Sequence, residues 1–242
     1  MNPRIRAVFR KELRDFRRNK FVVGTMVALP LFLVLLPIGN VLSVNAAAAE
    51  GAVRSIVGGA NLTFFLVPLI LPTVIAGYGV IGEREQGTLE PVLTTPVRAS
   101  ELLIGKALAA MVPTVSIAYG MYALYAILVH ALAVKQVVDL VWQPSQFVAV
   151  ALFAPLLSGF SIWVGLAFSA RATDVRVAQQ LSGLAMLPMI GLLSIFSFRA
   201  VSPTVTVALI GAVGLAVLDG AAWLVVSAMF DRERLLTRYG KG

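Results

Sequence analysis

Six strongly apolar runs, each with at most one charged residue, divide the chain, and each is long enough to cross a lipid bilayer as an α-helix. A spanning helix needs about 20 apolar residues. A transmembrane barrel would instead show alternating segments of about ten residues, and these runs do not alternate. The sequence therefore predicts an all-α, polytopic membrane protein with about six transmembrane helices. The predicted spans cover about 21–44, 60–81, 103–129, 147–170, 177–198 and 202–230.

Composition argues against a soluble domain and against a nucleic-acid-binding domain. Hydrophobic residues make up 59% of the 242 residues and charged residues 13%, whereas a soluble domain carries about 25% charged residues. The formal net charge is +8, but the basic residues flank the apolar runs and form no separate basic region. We therefore expect membrane lipids around a single transmembrane domain, residues 1–242, and no nucleic-acid partner.

The distribution of basic residues predicts the orientation of the spans. Six spans place both termini on one side, and seventeen of the twenty Lys and Arg residues then lie on that side. The other side has only Arg54, Lys135 and Arg199. By the positive-inside rule, both termini are predicted to be cytoplasmic. Lys106, at the start of the third span, is expected to extend its ammonium group toward the interface.

Residues 1–20 are predicted to form an amphipathic elbow helix that leads into the first span. Apolar residues recur there at three- and four-residue steps, and most other positions are basic. Such a helix lies in the membrane interface with its apolar face in lipid and its cations on headgroups. The alternative is a solvated arm that only sets the topology. The predicted interface residues are Arg4, Arg6, Phe9, Arg10, Leu13 and Phe16.

The loop between the second and third spans, residues 82–101, concentrates acidic charge. Its acidic residues are Glu83, Glu85, Glu90 and Glu101. Acidic residues contribute little to membrane orientation, so their clustering needs another explanation. Leu89 and Leu93 can share one face of a short helix before Pro96, and Ser100 is placed to cap the next span. The residues alone leave two alternatives, a docking surface for a soluble partner and a solvated loop.

This loop resembles the cytoplasmic segment of permeases of the type-2 ATP-binding-cassette (ABC) exporter family. In that family an E-R-E-x-G-T-L-E-x-L-L-x-[ST]-P-V-like run follows the second span, as residues 83–97 do here before a helix start with Gly105-Lys106. The matching residues are Glu83, Arg84, Glu85, Gly87, Thr88, Leu89, Glu90, Leu93, Thr94 and Pro96. The sequence departs from the pattern at Pro91-Val92. The loop between the fourth and fifth spans also resembles the family, and its charged residues are Arg171, Asp174 and Arg176.

The resemblance implies that residues 82–101 contain a short cytoplasmic coupling helix that docks on a separate ABC-type ATPase subunit. It also implies two ATPase copies, a second copy of this permease (a homodimer) or a homologous permease, and export by alternating access in a prokaryotic plasma membrane. ATP and Mg would be held by the ATPase, with no cofactor or metal on this chain. The chain has no G-x-x-x-x-G-K-[ST] motif, no cysteine and one histidine, so we expect neither ATP hydrolysis nor other catalysis by it.

Asp219 is the one formal charge deep within a predicted span. A carboxylate inside a membrane is costly to bury unpaired and is by default a functional candidate. A role in binding a cation or relaying protons would make the chain a stand-alone proton- or cation-coupled secondary transporter. The alternative is a protonated or paired carboxylate at a contact between helices, beside small residues. A third interpretation of the whole chain is a membrane scaffold that transports nothing.

Overall fold

In the computed structural model, residues 2–85, 98–172, 174–199 and 204–229 are described, with the side chains of all but 77–85, 99 and 199. These ranges contain eight helices and no strand. The helices are α1 (Pro3–Arg18), α2 (Lys20–Leu42), α3 (Glu50–Glu85), α4 (Ala99–Leu132), α5 (Lys135–Val141), α6 (Pro144–Ser169), α7 (Val175–Arg199) and α8 (Val205–Met229).

Six of these helices, α2, α3, α4, α6, α7 and α8, are long and apolar enough to cross a membrane. This confirms the predicted all-α, multi-pass membrane fold. Large apolar side chains cover the outside of the bundle, and Phe32, Leu187 and Ile210 are 65%, 57% and 67% exposed. In water such an apolar surface would drive association, whereas lipid is as apolar as these side chains.

The second spanning helix starts at Glu50 rather than near residue 60. An ion pair of 2.7 Å joins Glu50 and Arg54, one helical turn apart. Pairs of this spacing stabilise a helix whose turn is exposed to solvent. The helix therefore begins in polar residues, before the apolar run that predicted it. A further short helix, α5, lies between the third and fourth spanning helices and was not predicted.

Helices α3 and α6 form the centre of the bundle. In their most apolar stretches 61% and 50% of the residues are buried, compared with 17% to 28% in the other four spans. Helix α3 contacts α2, α4, α6 and α7, while α8 packs mainly on α6. A Cβ placed on Gly165 of α6 would lie 2.8 Å from the Cβ of Ala76 in α3. The glycine thus permits the close approach of the two central helices.

A single extended residue, Asn19, separates α1 from α2. Its backbone N–H donates to the carbonyl oxygens of Asp15 and Phe16, at 3.1 Å each. Its side-chain oxygen accepts from the backbone N–H groups of Phe21 and Val22, at 3.0 and 3.3 Å. Asparagine is a favoured N-cap because its side chain satisfies N–H groups that have no partner within the helix. One residue therefore ends α1 and begins the first spanning helix.

Two buried clusters fill the bundle at different depths. One lies on the side of the bundle that holds α1 and the start of α4, here called the N-terminal side, and includes Phe16, Leu71 and Leu166. The other extends to the opposite side, here called the far side, where α5 lies. This second cluster contains a group of packed aromatic residues, in which the rings of Phe64 and Tyr125 are 4.6 Å apart.

Candidate functional site

The apolar face of α1 packs against the start of α4. A Cβ placed on Gly105 would lie 2.6 Å from Cγ1 of Val8, so the glycine permits this approach. Phe16 is 8% exposed and belongs to the N-terminal cluster, and Phe9 and Leu13 are half-buried. The prediction that this face lies in lipid is wrong for Phe16, because its side chain is enclosed by the bundle. Among the predicted cations of α1, Arg4, Arg6 and Arg10 are exposed.

Glu12 of α1 and Lys106 of α4 form an ion pair inside this contact. The Lys106 ammonium donates to Oε1 of Glu12 at 2.8 Å, and the two side chains are 3% and 6% exposed. Lys11 approaches the same carboxylate oxygen at 3.3 Å. The expectation that Lys106 extends to the interface is wrong, since a partner carboxylate on α1 holds it within the protein. A buried charge needs such a partner.

Glu101 fastens the start of α4 to the first residues of the chain. Its Oε1 accepts from the side-chain amide of Asn2 at 2.7 Å, and its Oε2 accepts from the backbone N–H of Arg98 at 3.0 Å. Arg4 adds an ion pair at 3.6 Å. Helix α4 starts at Ala99, so Ser100 lies inside the first turn and does not cap it as expected. Glu101 therefore accepts from the backbone N–H of Arg98, the residue before its own helix, and also forms an ion pair with Arg4 of α1.

The predicted docking residues begin in the last turn of α3. The backbone of Glu83, Arg84 and Glu85 continues that helix. The remaining seven lie outside the described residues: Gly87, Thr88, Leu89, Glu90, Leu93, Thr94 and Pro96. The chain re-enters the described structure at Arg98, beside the contact of Glu101 with α1. The coupling helix stays a prediction, and the structure shows only that Glu101, just after this loop, contacts Asn2 and Arg4 at the start of the chain.

The second loop on the N-terminal side joins α6 to α7. Asp174 caps α7, because its Oδ1 accepts from the backbone N–H of Val177 at 2.9 Å. Arg171 and Arg176 are exposed on either side of this cap. The sequence grouped these three residues as one charged loop. The structure gives Asp174 a role in forming the helix and leaves the two arginine side chains at the surface.

Asp219 lies at the contact between α8 and α6. A Cβ placed on Gly159 would lie 2.6 Å from its Oδ2 and 2.9 Å from its Oδ1. The rings of Trp163 and Trp223 pack edge to face at 4.9 Å. Oδ1 is buried without a hydrogen-bond partner among the described residues. The carboxylate therefore occupies a contact between helices beside a small residue, and both predicted roles for Asp219 stay predictions.

The residues that join α1 to α4 were not predicted as a site. Glu12, Glu101 and Lys106 are the charged members of this group, and Gly105 allows the contact. One available signal was the acidic Glu12 within a strongly basic arm. No group of three His, Asp or Glu residues in the described ranges could hold a metal ion. These contacts hold α1 against the start of α4 on the N-terminal side of the bundle.

Comparison with known proteins gives a family for this arrangement. A family model described as ABC-2 type transporter matches residues 3–210. A relative from Pseudomonas aeruginosa, described as "Probable ABC transporter permease protein NosY", is 34% identical over 110 residues, which cover 43% of this chain and 38% of the relative. A protein with the same description from Stutzerimonas stutzeri is 34% identical over 105 residues, which cover 41% of this chain and 36% of that one. The chain thus spans less than two fifths of the length of each relative.

Proposed function

The chain belongs to the ABC-2 type transporter family, and from that premise we propose that it is the membrane-spanning permease subunit of an ATP-driven exporter. One structural relationship supports the coupling role most directly. The loop with the family-like motif leaves from the central helix α3 and re-enters at α4, where Glu101 binds Asn2 at 2.7 Å. A partner that pushes on this loop would act on α3, α4 and α1 together.

In this proposal residues 82–101 form the coupling segment and dock on a separate ATPase. The ion pair of Glu12 with Lys106 joins α1 and α4, so the two helices move as one unit. Helix α3 contacts four other spans and transmits the displacement to the centre of the bundle. Alternating access then follows from two arrangements of these helices, one open to each side of the membrane.

The proposed assembly contains two ABC-type ATPase subunits and a second permease, either another copy of this chain or a homologue. ATP and Mg are bound by the ATPase subunits, and this chain supplies no cofactor site. The basic residues favour an orientation with both termini in the cytoplasm of a prokaryotic cell. The coupling segment and the exposed Arg171 and Arg176 are then on the side where ATP is available.

A second candidate function is a stand-alone proton- or cation-coupled secondary transporter that uses Asp219. The observation that favours it is Oδ1 of Asp219, a buried oxygen that lacks a hydrogen-bond partner within the described ranges. A carboxylate of this kind can bind a proton or a cation inside a membrane. The two functions differ in the energy source, ATP in the first and an ion gradient in the second.

The test of the first function is docking of an ABC-type ATPase on the coupling segment. The permease is co-expressed with an ABC-type ATPase subunit from the same genome, purified in detergent and tested for co-elution. Glu83→Lys and Glu85→Lys are each compared with Asp139→Lys, which makes the same charge change at an exposed position of α5. We expect both coupling-segment variants to lose the ATPase and Asp139→Lys to retain it.

The same variants in lipid nanodiscs then report the stimulation of ATP hydrolysis by the permease. Loss of stimulation with Glu83→Lys or Glu85→Lys would match loss of co-elution. Full co-elution and full stimulation in both variants would contradict the docking assignment. Co-elution lost equally in Asp139→Lys would point to misfolding or to a general effect of charge, and would also remove the support for docking.

A further inference from the structure

A cavity of about 310 Å³ opens on the far side of the bundle, away from the coupling segment. It lies between the first turns of α3, the start of α6 and the end of α7. Its size falls at the lower end of the range of small-molecule sites in proteins. Nothing in the proposed coupling mechanism uses it, and its chemistry does not depend on the ATPase.

A pair of buried amide side chains forms the polar wall of this cavity. Asn61 donates to Oε1 of Gln146 at 3.0 Å, and the two residues are 9% and 7% exposed. Each primary amide has two N–H donors and a carbonyl acceptor. In the described part of the chain this one bond leaves three N–H donors and the Asn61 carbonyl oxygen for a ligand. Gln143 adds a third amide to the lining.

Ser197 of α7 is a second, independent sign that a polar group belongs here. A serine within a helix can donate to the carbonyl oxygen one turn back, as Ser55 and Ser194 do at 3.0 and 2.7 Å. The buried hydroxyl of Ser197 makes no hydrogen bond to any described residue, and the residue lines the cavity. A buried hydroxyl without a partner costs free energy. Rotation of the Ser197 side chain about χ1 toward the cavity would let a ligand hydroxyl or carbonyl supply the missing bond.

The charge at the cavity favours an uncharged ligand. Arg54 is the one charged residue among the described lining side chains, and its guanidinium is bonded to Glu50 at 2.7 Å. The two charges offset each other at the mouth. The rest of the wall is largely apolar and includes Phe65, Phe196 and Phe198. An apolar wall beside a group of amides matches a ligand with a hydrogen-bonding head and an apolar chain.

We propose that this cavity binds the uncharged, hydroxyl-bearing head of an amphiphile. Asn61, Gln146 and Ser197 bind the head, and the phenylalanine rings contact the start of its apolar chain. Gly58 fixes the geometry, because a Cβ there would lie 2.6 Å from the Ser197 carbonyl oxygen. The close approach of α3 and α7 at this glycine places Ser197 and the amide residues around one cavity.

The experiment measures occupancy by native mass spectrometry of the full chain released from phosphatidylcholine nanodiscs. The probes are monoolein, which has two head hydroxyls, methyl oleate, which has the same chain and no hydroxyl, and anionic oleate. Two or three hydrogen bonds predict that monoolein binds about tenfold or more better than methyl oleate. Equal binding of monoolein and either of the other probes would overturn the proposal.

Variants locate the binding. Ser197→Ala and Gln146→Met should each lower monoolein occupancy severalfold, whereas Gln136→Met, an exposed glutamine of α5 on the same side, should not. Ser197→Ala removes no intramolecular bond among the described residues, so it guards against loss through misfolding. Unchanged monoolein binding in Ser197→Ala and Gln146→Met would place the ligand elsewhere and reject the site.

A stoichiometric hydroxyl-headed lipid that co-purifies from cell membranes identifies the bilayer as the source. Protein that purifies empty yet takes up monoolein identifies a diffusible ligand.

Discussion

Lys106 donates a 2.8 Å hydrogen bond to Glu12 although the two residues are 94 positions apart and both side chains are almost fully buried. The pair lies where α1 crosses the start of α4, beside Gly105. Taking two charges out of water is costly, and the attraction between them offsets that cost only while both are present. The packing of α1 on α4 therefore depends on this pair, and we expect the contact to be lost when either Glu12 or Lys106 is replaced.

Removing one member of this pair should destabilise the protein strongly. Lys106→Met leaves the Glu12 carboxylate without its buried cation, and breaking such a pair costs about 3–5 kcal/mol. The double variant Glu12→Leu/Lys106→Met removes both charges and should recover most of the loss. The measurement is the unfolding midpoint in detergent, with Arg14→Met, an exposed cation of α1, as the matched control. A stable Lys106→Met protein would show that the pair does not hold α1.

A side chain at Gly105 should be accommodated only if α1 is displaced from α4. A Cβ there would lie 2.6 Å from Cγ1 and 2.7 Å from Cβ of Val8, and such overpacking costs about 1–3 kcal/mol. Gly105→Ala should lower the unfolding midpoint, and Val8→Gly in the same chain, which removes both atoms, should restore part of it. The control is Gly120→Ala on the same helix, where no described atom lies within 4 Å of the added Cβ. Equal effects of the two glycine variants would contradict the close contact.

The spanning helices could be predicted because each depends on a local property of the chain. A long apolar run can be recognised without knowing its neighbours in the fold, and six such runs form the six long helices. The amphipathic pattern of α1 was readable for the same reason. The start of α3 was missed because its first turn is polar and is stabilised by the Glu50–Arg54 pair.

The contacts between helices could not be predicted from the same patterns. Glu12 with Lys106 and Asn61 with Gln146 join residues 94 and 85 positions apart. Periodicity shows which face of a helix is apolar but not which helix covers it. Phe16 was therefore assigned to lipid although the bundle covers it, and Asp219 was recognised without its neighbour Gly159.

The absence of cysteine makes the orientation directly testable. Ala47 is exposed in the loop between α2 and α3, and Arg171 is exposed in the loop between α6 and α7. With cytoplasmic termini, a membrane-impermeant maleimide should label Ala47→Cys on intact cells. It should label Arg171→Cys only after permeabilisation, because that loop is then on the cytoplasmic side. The reverse pattern would place residues 82–101 outside the cell, where no ATPase could dock.

Gly159 should be sensitive to substitution because of Asp219. A Cβ there would lie 2.6 and 2.9 Å from the two carboxylate oxygens, so Gly159→Ala must displace Asp219 or separate α6 from α8. We expect a loss of about 1–3 kcal/mol from overpacking. Asp219→Ala in the same chain removes both oxygens and should restore stability. Gly214→Ala on α8, with no described atom within 4 Å of its Cβ, should be neutral. Failure of the double variant to recover would show that the carboxylate is not what Gly159 accommodates.

Asp219→Asn separates the two candidate functions. The amide keeps the shape of the carboxylate at the Gly159 contact and removes its charge and its ability to exchange a proton. If ATP drives the permease, the variant should retain stimulation of the ATPase within about twofold, since Asp219 lies in α8, which does not flank the coupling segment. If an ion gradient drives transport, Asp219→Asn should abolish proton or cation flux in proteoliposomes and leave any response to ATP unchanged. ATPase stimulation lost in Asp219→Asn, with folding intact and no ion flux in the native protein, would contradict the secondary transporter and would make Asp219 part of the ATP-driven cycle.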